Sequence, residues 1–398
     1  MFAIIFLLIY LGLHVLLCMD TYYWIKAFRN PFKRIVVKIV FFVIFAFLTS
    51  LILVNFFLPG GPLKMILSRG MNYYQGFIIN LMMVLVIVHF AALILKLFKI
   101  IPKKGYFWLN RKKCIAGICC IAISLGFSVY GFINANIIRT TPYNVTIDKK
   151  GEDMKIVLIA DLHMGYSIGV RNIRDMAEKI NRLDADLVCI AGDIFDNDYD
   201  SIDDPEGIKE AFLSIKSRYG VYACWGNHDV EEKLIGGFPA GFGGIKKHDP
   251  RMQELLEQSG IILLEDEAIT VDNKFTLIGR LDKEQPGNDH DSRLDISEIQ
   301  FNTNLPVICM DHEPAELDEK ADAGVDLDLG GHTHNGQFFP LNLGIGLMWE
   351  NPAGHIKVDG ENDHVMHSVV TEGLGVYGPF MRTFTKAEIV EINVTFAR

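Results

Sequence analysis

Acidic side chains are almost missing from the first 150 residues. Only Asp20 and Asp148 occur there, against 17 Lys and Arg. The remainder reverses the balance, so a formal charge of -10 over 398 residues hides a basic half and an acidic half. The acidic half lacks the Lys and Arg surface that a phosphate backbone needs, which excludes nucleic acid as a partner. Cysteine is sparse. The seven Cys lie in apolar runs, either in the first half (Cys18, Cys114, Cys119, Cys120) or inside strand-like segments (Cys189, Cys224, Cys309). None joins a polar cluster, so a disulfide framework and a closed thiolate zinc site are both excluded. The N-terminus has no basic leader and no small-residue cleavage site, which argues against a removable signal peptide.

What the first half does contain is hydrocarbon. Four apolar stretches run about Met1–Met19, Ile35–Leu58, Gly76–Phe98 and Cys114–Ala135. Each is near the ~20 residues that cross a bilayer. Basic residues concentrate in the first and third connections (Lys26, Arg29, Lys33 and Arg34; Lys103, Lys104, Arg111, Lys112 and Lys113). Those connections should therefore be cytoplasmic. The N-terminus and everything after the fourth span are then expected outside the cytoplasm. His14 and His89 fall within spans, and the segments offer no polar partner for a proton relay, so each reads as a neutral packed histidine. Residues 1–136 thus read as a membrane anchor, 137–153 as a tether and 154–398 as a soluble domain.

The soluble half alternates short apolar runs with amphipathic stretches. Lys155–Ala160, Asp186–Ala191, Val221–Trp225, Pro306–Met310 and Val325–Leu329 read as strands, while Arg171–Leu183 and Pro205–Ser217 have helical spacing. That alternation predicts an α/β sheet. Each of the five strands ends in polar residues: Asp161-Leu162-His163; Gly192-Asp193 with Asp196; Gly226-Asn227-His228-Asp229; Asp311-His312-Glu313-Pro314; and Gly331-His332-Thr333-His334. In extended chain, residues two apart point the same way, so Asp161 with His163, and His332 with His334, can each grip one ion. The glycine before Asn227 allows a sharp turn and a close approach. Mixed imidazole and carboxylate donors suit Mn, Zn or Fe. Asp161, His163, Asp193, Asn227, His228, His312, His332 and His334 are eight residues, more than one ion needs, and one carboxylate can bridge two. Two ions ~3.5–4 Å apart form the clamp that hydrolyses phosphate esters. The Gly- and Phe-rich stretch Leu234–His248 reads as a loop over the site, and His248 and His290 read as solvated.

In that order, Asp-x-His, Gly-Asp-x-x-Asp, Gly-Asn-His-Asp, a lone His and Gly-His-x-His resemble the calcineurin-like metallophosphoesterases, over roughly Met154 to Arg398. Gly373–Gly375 and Arg382 are similar to the membrane-associated bacterial branch, and the four-span anchor is similar to animal transmembrane metallophosphoesterases. Asn335, and Lys386-Ala387-Glu388, depart from the bacterial branch's usual residues. The resemblance implies a two-sheet αββα sandwich and two divalent metal ions. It implies that Asp161, His163, Asp193 and His334 hold the first ion, and that Asp193, Asn227, His312 and His332 hold the second. His228 would be the general acid, and Asp229 or Asp196 would orient a neighbouring His. The expected function is hydrolysis of a phosphate monoester or diester by metal-activated hydroxide, on a lipid headgroup, a lipid-linked sugar phosphate or an envelope polymer. The competing readings are a non-catalytic scaffold, which would have lost ligands, and a transporter, which would need more polar spans.

Overall fold

The computed structural model describes residues 2–28, 30–100, 111–235, 238–239, 246–287 and 292–397. His290 and the basic residues Lys103 and Lys104 lie outside them. The chain divides into two compact units.

The first unit is helical. α1 (Phe2–Phe28), α2 (Ile35–Phe57), α3 (Pro62–Leu97) and α4 (Arg111–Ala135) are each long and apolar enough to cross a membrane. α3 begins about four turns earlier than its hydropathy suggests, because Pro62 starts a helix and nothing before Leu97 stops it. Leu17, Trp24, Ile78, Leu81, Leu85 and Cys120 pack α1, α3 and α4 together. Two polar contacts reinforce that packing. Asn80 donates to Ser128 at 2.9 Å, and His89 Nε2 lies 2.8 Å from the fully buried Asp20 carboxylate. His89 therefore does have a polar partner, which hydropathy hides because Asp20 stands at the end of an apolar run. Leu234–Gly241 and Gly378–Phe380 also belong to this unit, where Ile235 packs with Ile52 and Met71.

The second unit is an α/β sandwich of two six-stranded sheets. One sheet has the order β1 (Ile138–Lys150), β14 (Ala387–Ala397), β2 (Met154–Ile159), β3 (Leu187–Ala191), β4 (Val221–Cys224) and β7 (Ile261–Leu263). The other runs β12 (Gly354–Asp359), β13 (Val365–Val370), β11 (Leu327–Gly330), β10 (Val307–Met310), β9 (Phe275–Gly279) and β8 (Glu267–Val271). A hairpin of β5 (Leu234–Ile235) and β6 (Phe238–Pro239) interrupts the chain after β4. Alternate residues of each sheet, among them Ile156, Leu158, Leu277, Ile308 and Leu329, face each other in one core. Intervening residues such as Val157 and Ile159 are equally buried, because helices cover the outer faces. α5 (Val170–Leu183) buries Ile173, Met176, Ala177 and Ile180. α6 (Pro205–Leu213) and α7 (Pro250–Gln258) start at Pro and are capped by Asp204 and Asp249. α8 (Leu317–Asp322) packs Leu317 and Ala321 against the second sheet. β2, β3, β4 and β7 are mutually parallel, as are β9, β10, β11 and β13. Their carboxyl ends, where open sheets present ligands, therefore share one edge of each sheet.

The stretch expected as a tether is β1. It pairs in parallel with β14 from Ile138↔Ala387 to Ile147↔Phe396 and buries Val145 and Ile147. A soluble chain begun at Met154 would lose this strand. At about 1.5–3 kcal/mol for each buried Val or Ile side chain, it should unfold well below a chain begun at Asn136. Urea melts of the two chains would measure the gap, and equal midpoints would show that β1 adds nothing to the fold.

Candidate active site

Five strand ends converge in the second unit. The backbone ties them together before any side chain acts. Asp161 N–H donates to Gly192 O, His163 N–H to Asp193 O, and His332 N–H to the Asp161 carboxylate at 3.0 Å. Gly226 is required by space, since a Cβ there would lie 2.3 Å from Asp193 N. Asp161 (φ 55°), His163 (48°), Asp193 (50°), His332 (69°) and His334 (49°) all take left-handed backbone. L-residues adopt it at some cost, and such conformations gather at functional sites.

The donor atoms meet at short range. His163 Nε2 lies 3.0 Å from His334 Nε2, which is 3.2 Å from Asp161 Oδ1. His312 Nε2 lies 3.2 Å from Asn227 Oδ1, which is 2.9 Å from His332 Nδ1. Asp193 Oδ2 faces both groups, 3.6 Å from His163 Nε2 and 3.2 Å from His312 Nε2. Its other oxygen accepts the His228 N–H at 2.7 Å, which leaves Oδ2 facing the two imidazoles. Metal bonds of ~2.0–2.2 Å put adjacent donor atoms about 3 Å apart, so this spacing fits ions. Asp161, His163 and His334, and likewise Asp161, Asp193 and His312, each bring one donor atom into a common cluster.

Electrostatics agree with that donor set. Burial pushes His163 far below its ordinary pKa, His332 down to about 3 and His334 below its usual value. Neutral imidazole is the form that binds metal. His312 moves the other way. Burial would lower its pKa, but Asp193, Asp161 and Asp282 outweigh burial and raise it. Burial likewise opposes ionisation of Asp161, yet His334 and His312 hold its pKa at about 2. The carboxylate pair demands positive charge, as a cation site must.

All seven residues expected as ligands are brought together. His228 sits beside them, half-buried, its Nδ1 2.5 Å from Asn197 Oδ1. Asp196 Oδ1 lies 3.8 Å from His163 Nδ1 and 3.9 Å from His228 Nδ1. Asp229 does something else: its oxygens accept the Phe195 and Gly226 amides at 2.8 and 2.7 Å. It pins the loop that carries Asn227 and His228 rather than touching a histidine ring. His248 is not solvated but buried, stacked on Trp225 at 4.3 Å.

Four residues escaped the sequence reading. Asn197 follows Asp196 directly, and an amide next to a ligand loop was the available signal. Tyr377 lays its ring against His163, His228 and His334, with centroids 5.9, 6.1 and 4.9 Å away. Trp349 meets His332 edge-on at 5.0 Å. Buried Asp282 acts on His312 through its charge. These three lie in irregular segments with no motif to mark them. Arg382, fully buried, directs Nη2 to Gly375 O at 2.7 Å and to His334 Nδ1 at 3.1 Å.

Residues 154–336 match the calcineurin-like phosphoesterase family. This segment is similar to the calcineurin-like phosphoesterases. The chain is 28% identical over 294 residues to a transmembrane protein with metallophosphoesterase domain from Danio rerio, covering 69% of this chain and 62% of that one. It is 29% identical over 276 residues to an uncharacterized metallophosphoesterase of Campylobacter jejuni, covering 67% of each. A UDP-2,3-diacylglucosamine pyrophosphatase of Chlamydia trachomatis is 21% identical over 262 residues, covering 56% of this chain and 75% of that one. The matched region thus spans less than two thirds of the Danio rerio relative. The matched segment carries candidate metal-binding clusters and follows four helices able to span a membrane.

Proposed function

We propose that this protein is a membrane-anchored phosphoesterase that holds two divalent metal ions and hydrolyses a phosphate ester of a membrane or envelope molecule. The observation that carries the reading is Asp193 Oδ2, within 3.6 Å of an imidazole from each cluster. Asp161, His163, Asp193 and His334 would hold one ion, and Asp193, Asn227, His312 and His332 the other, with Mn, Zn or Fe as suitable identities. When bound, such ions supply Lewis acidity to the phosphoryl oxygens and to the attacking water. The chain's own groups do the rest. Asn227 offers a neutral oxygen to the second cluster, which limits negative charge where an anionic ester must enter. As the imidazolium, His228 would donate Nδ1–H to Asn197 Oδ1 and keep Nε2–H to protonate the departing ester oxygen, ending as the neutral ring. Asp229 fixes the turn that places both Asn227 and His228. Tyr377 and Trp349 wall the histidines and exclude water.

The loop-charge asymmetry supports an extracytoplasmic domain. A substrate with a lipid portion is supported by the membrane helices and by the name of the Chlamydia relative, which specifies a diacylated pyrophosphate. The test is the full chain in detergent, stripped with chelator and reloaded with Mn or Zn, offered an aryl phosphodiester and the matching monoester. Release that returns with metal supports the reading and ranks the two ester classes. A folded, metal-loaded chain that hydrolyses neither these nor a phospholipid diester would defeat it.

A further inference from the structure

Exposed apolar side chains in the second unit are mostly scattered, as at Leu213, Ile262 and Leu294, but one group of them is clustered close to the site. Between Leu341 and Met348, Leu341, Leu343, Leu347 and Met348 are 50%, 73%, 91% and 75% exposed. Single exposed leucines are ordinary, but four within eight residues form a patch that calls for a partner. No charged residue lies from Gly336 to Trp349, in a half of the chain that is otherwise strongly acidic. Two tight 3-10 turns, Leu341–Leu343 and Ile345–Leu347, point these side chains outward. The turns also pair part of their own backbone. The amides of Leu341, Leu343, Gly344, Leu347 and Met348 donate to Phe338, Pro340, Leu341, Gly344 and Ile345 carbonyls within the loop. Such pairing lowers the cost of leaving bulk water for the polar interfacial layer of a bilayer, where unpaired groups still meet water.

Two contacts indicate which medium. Thr383 and Thr385 bond the base of this loop: Thr383 N–H and Thr385 Oγ1 donate to Gln337 O, and Thr383 Oγ1 accepts the Phe339 amide. The same short segment is tied to the last turn of α4. Asn134 Nδ2 donates to Arg382 O at 3.0 Å and to Thr385 O at 2.8 Å. α4 is one of the four helices able to cross a membrane, and its last turn is where such a helix meets the interface. Through Thr383 and Thr385 the loop is therefore tied to the last residues of α4, which belong to the same compact unit. Its other end is Trp349, whose ring contacts the ligand histidine His332. Tryptophan is also the side chain that settles at membrane interfaces.

We propose that Leu341–Trp349 is a membrane-engaging loop that seats in the outer part of the bilayer and guides a phosphate borne on acyl chains to the His332 side of the site. This rests on the phosphoesterase reading for its substrate, but not for the contact with lipid. The two are tested separately. Full-length protein carrying the photoreactive residue benzoylphenylalanine at Leu347, reconstituted in phosphatidylcholine nanodiscs, should yield a phospholipid adduct on the 341–349 peptide upon illumination. The same residue at Leu213, exposed on α6, should yield none. A protein–protein adduct at Leu347, or no lipid adduct, overturns the proposal whether or not the protein is an enzyme. In the second arm, Leu343→Ser with Leu347→Ser should leave kcat/KM for a soluble aryl phosphodiester within about twofold. It should reduce turnover of a phosphodiester lipid in the nanodisc by tenfold or more. Equal losses on both substrates would make the loop part of the fold or the site and would also sink the idea. Wild-type protein inactive on both, yet adducted at Leu347, would refute the enzyme and keep the lipid contact.

Discussion

Asp193→Asn should empty both metal positions while leaving the fold intact. The substitution conserves shape, and Asn can still accept the His228 amide that now bonds Oδ1. What changes is Oδ2. It faces imidazoles of both clusters, and a neutral amide there removes the shared negative charge. With the other oxygen bonded to His228, the amide would turn its NH₂ toward the cations. Loss of a residue one step outside a metal site typically costs ~10–100-fold in affinity or activity. Loss of the shared ligand should exceed that. Elemental analysis of the dialysed protein should fall from about two ions per chain to well under one, with circular dichroism unchanged. A variant that retains two ions would disprove the bridging assignment.

His228→Ala should do the reverse, keeping the ions and losing turnover. His228 contributes its backbone amide to Asp193, which Ala preserves, and its ring bonds Asn197 rather than a ligand atom. Removing a proton donor costs about 10²–10⁴ in rate. The deficit should depend on the leaving group. A nitrophenolate departs without help, so an aryl ester should lose least, and an alkyl ester with its basic leaving oxygen should lose most. Metal content and rate on a matched aryl and alkyl pair would decide the role. If the variant loses metal, His228 belongs to the ligand set and its assignment as acid is wrong. Equal losses on both esters would point to binding rather than proton transfer.

The site could be read from sequence because its residues stand at strand ends, where a buried apolar run and the polar cluster after it are adjacent in the chain. Asp161 and His163, or His332 and His334, announce themselves in this way. Their φ angles do not. The two-apart spacing suggests extended backbone, whereas both pairs sit in left-handed turns, and contacts from a second strand end bring the donors together. β1 escaped for a different reason. It is an edge strand that carries Pro142, half its residues face solvent, and its partner β14 lies some 240 residues away. Asp229 misled because adjacency to His228 suggests chemistry, while its carboxylate faces the backbone amides of the turn. Tyr377 and Trp349 reach the histidines from loops whose course is set by the completed sandwich.

The left-handed backbone at five of the seven proposed ligands narrows what can replace them by a route separate from coordination. At Asp161, His163, Asp193, His332 and His334 the peptide chain itself rejects β-branched side chains, because Cβ crowds the carbonyl at positive φ. Asparagine and glycine fit that conformation far better. In a saturating substitution library sorted for abundance rather than activity, Val, Ile and Thr should be depleted at these positions even in chelator-treated cells, while Asn persists. The proposed metal-binding loops would then be recognisable from folding alone, as places where shape filters the residue before chemistry does.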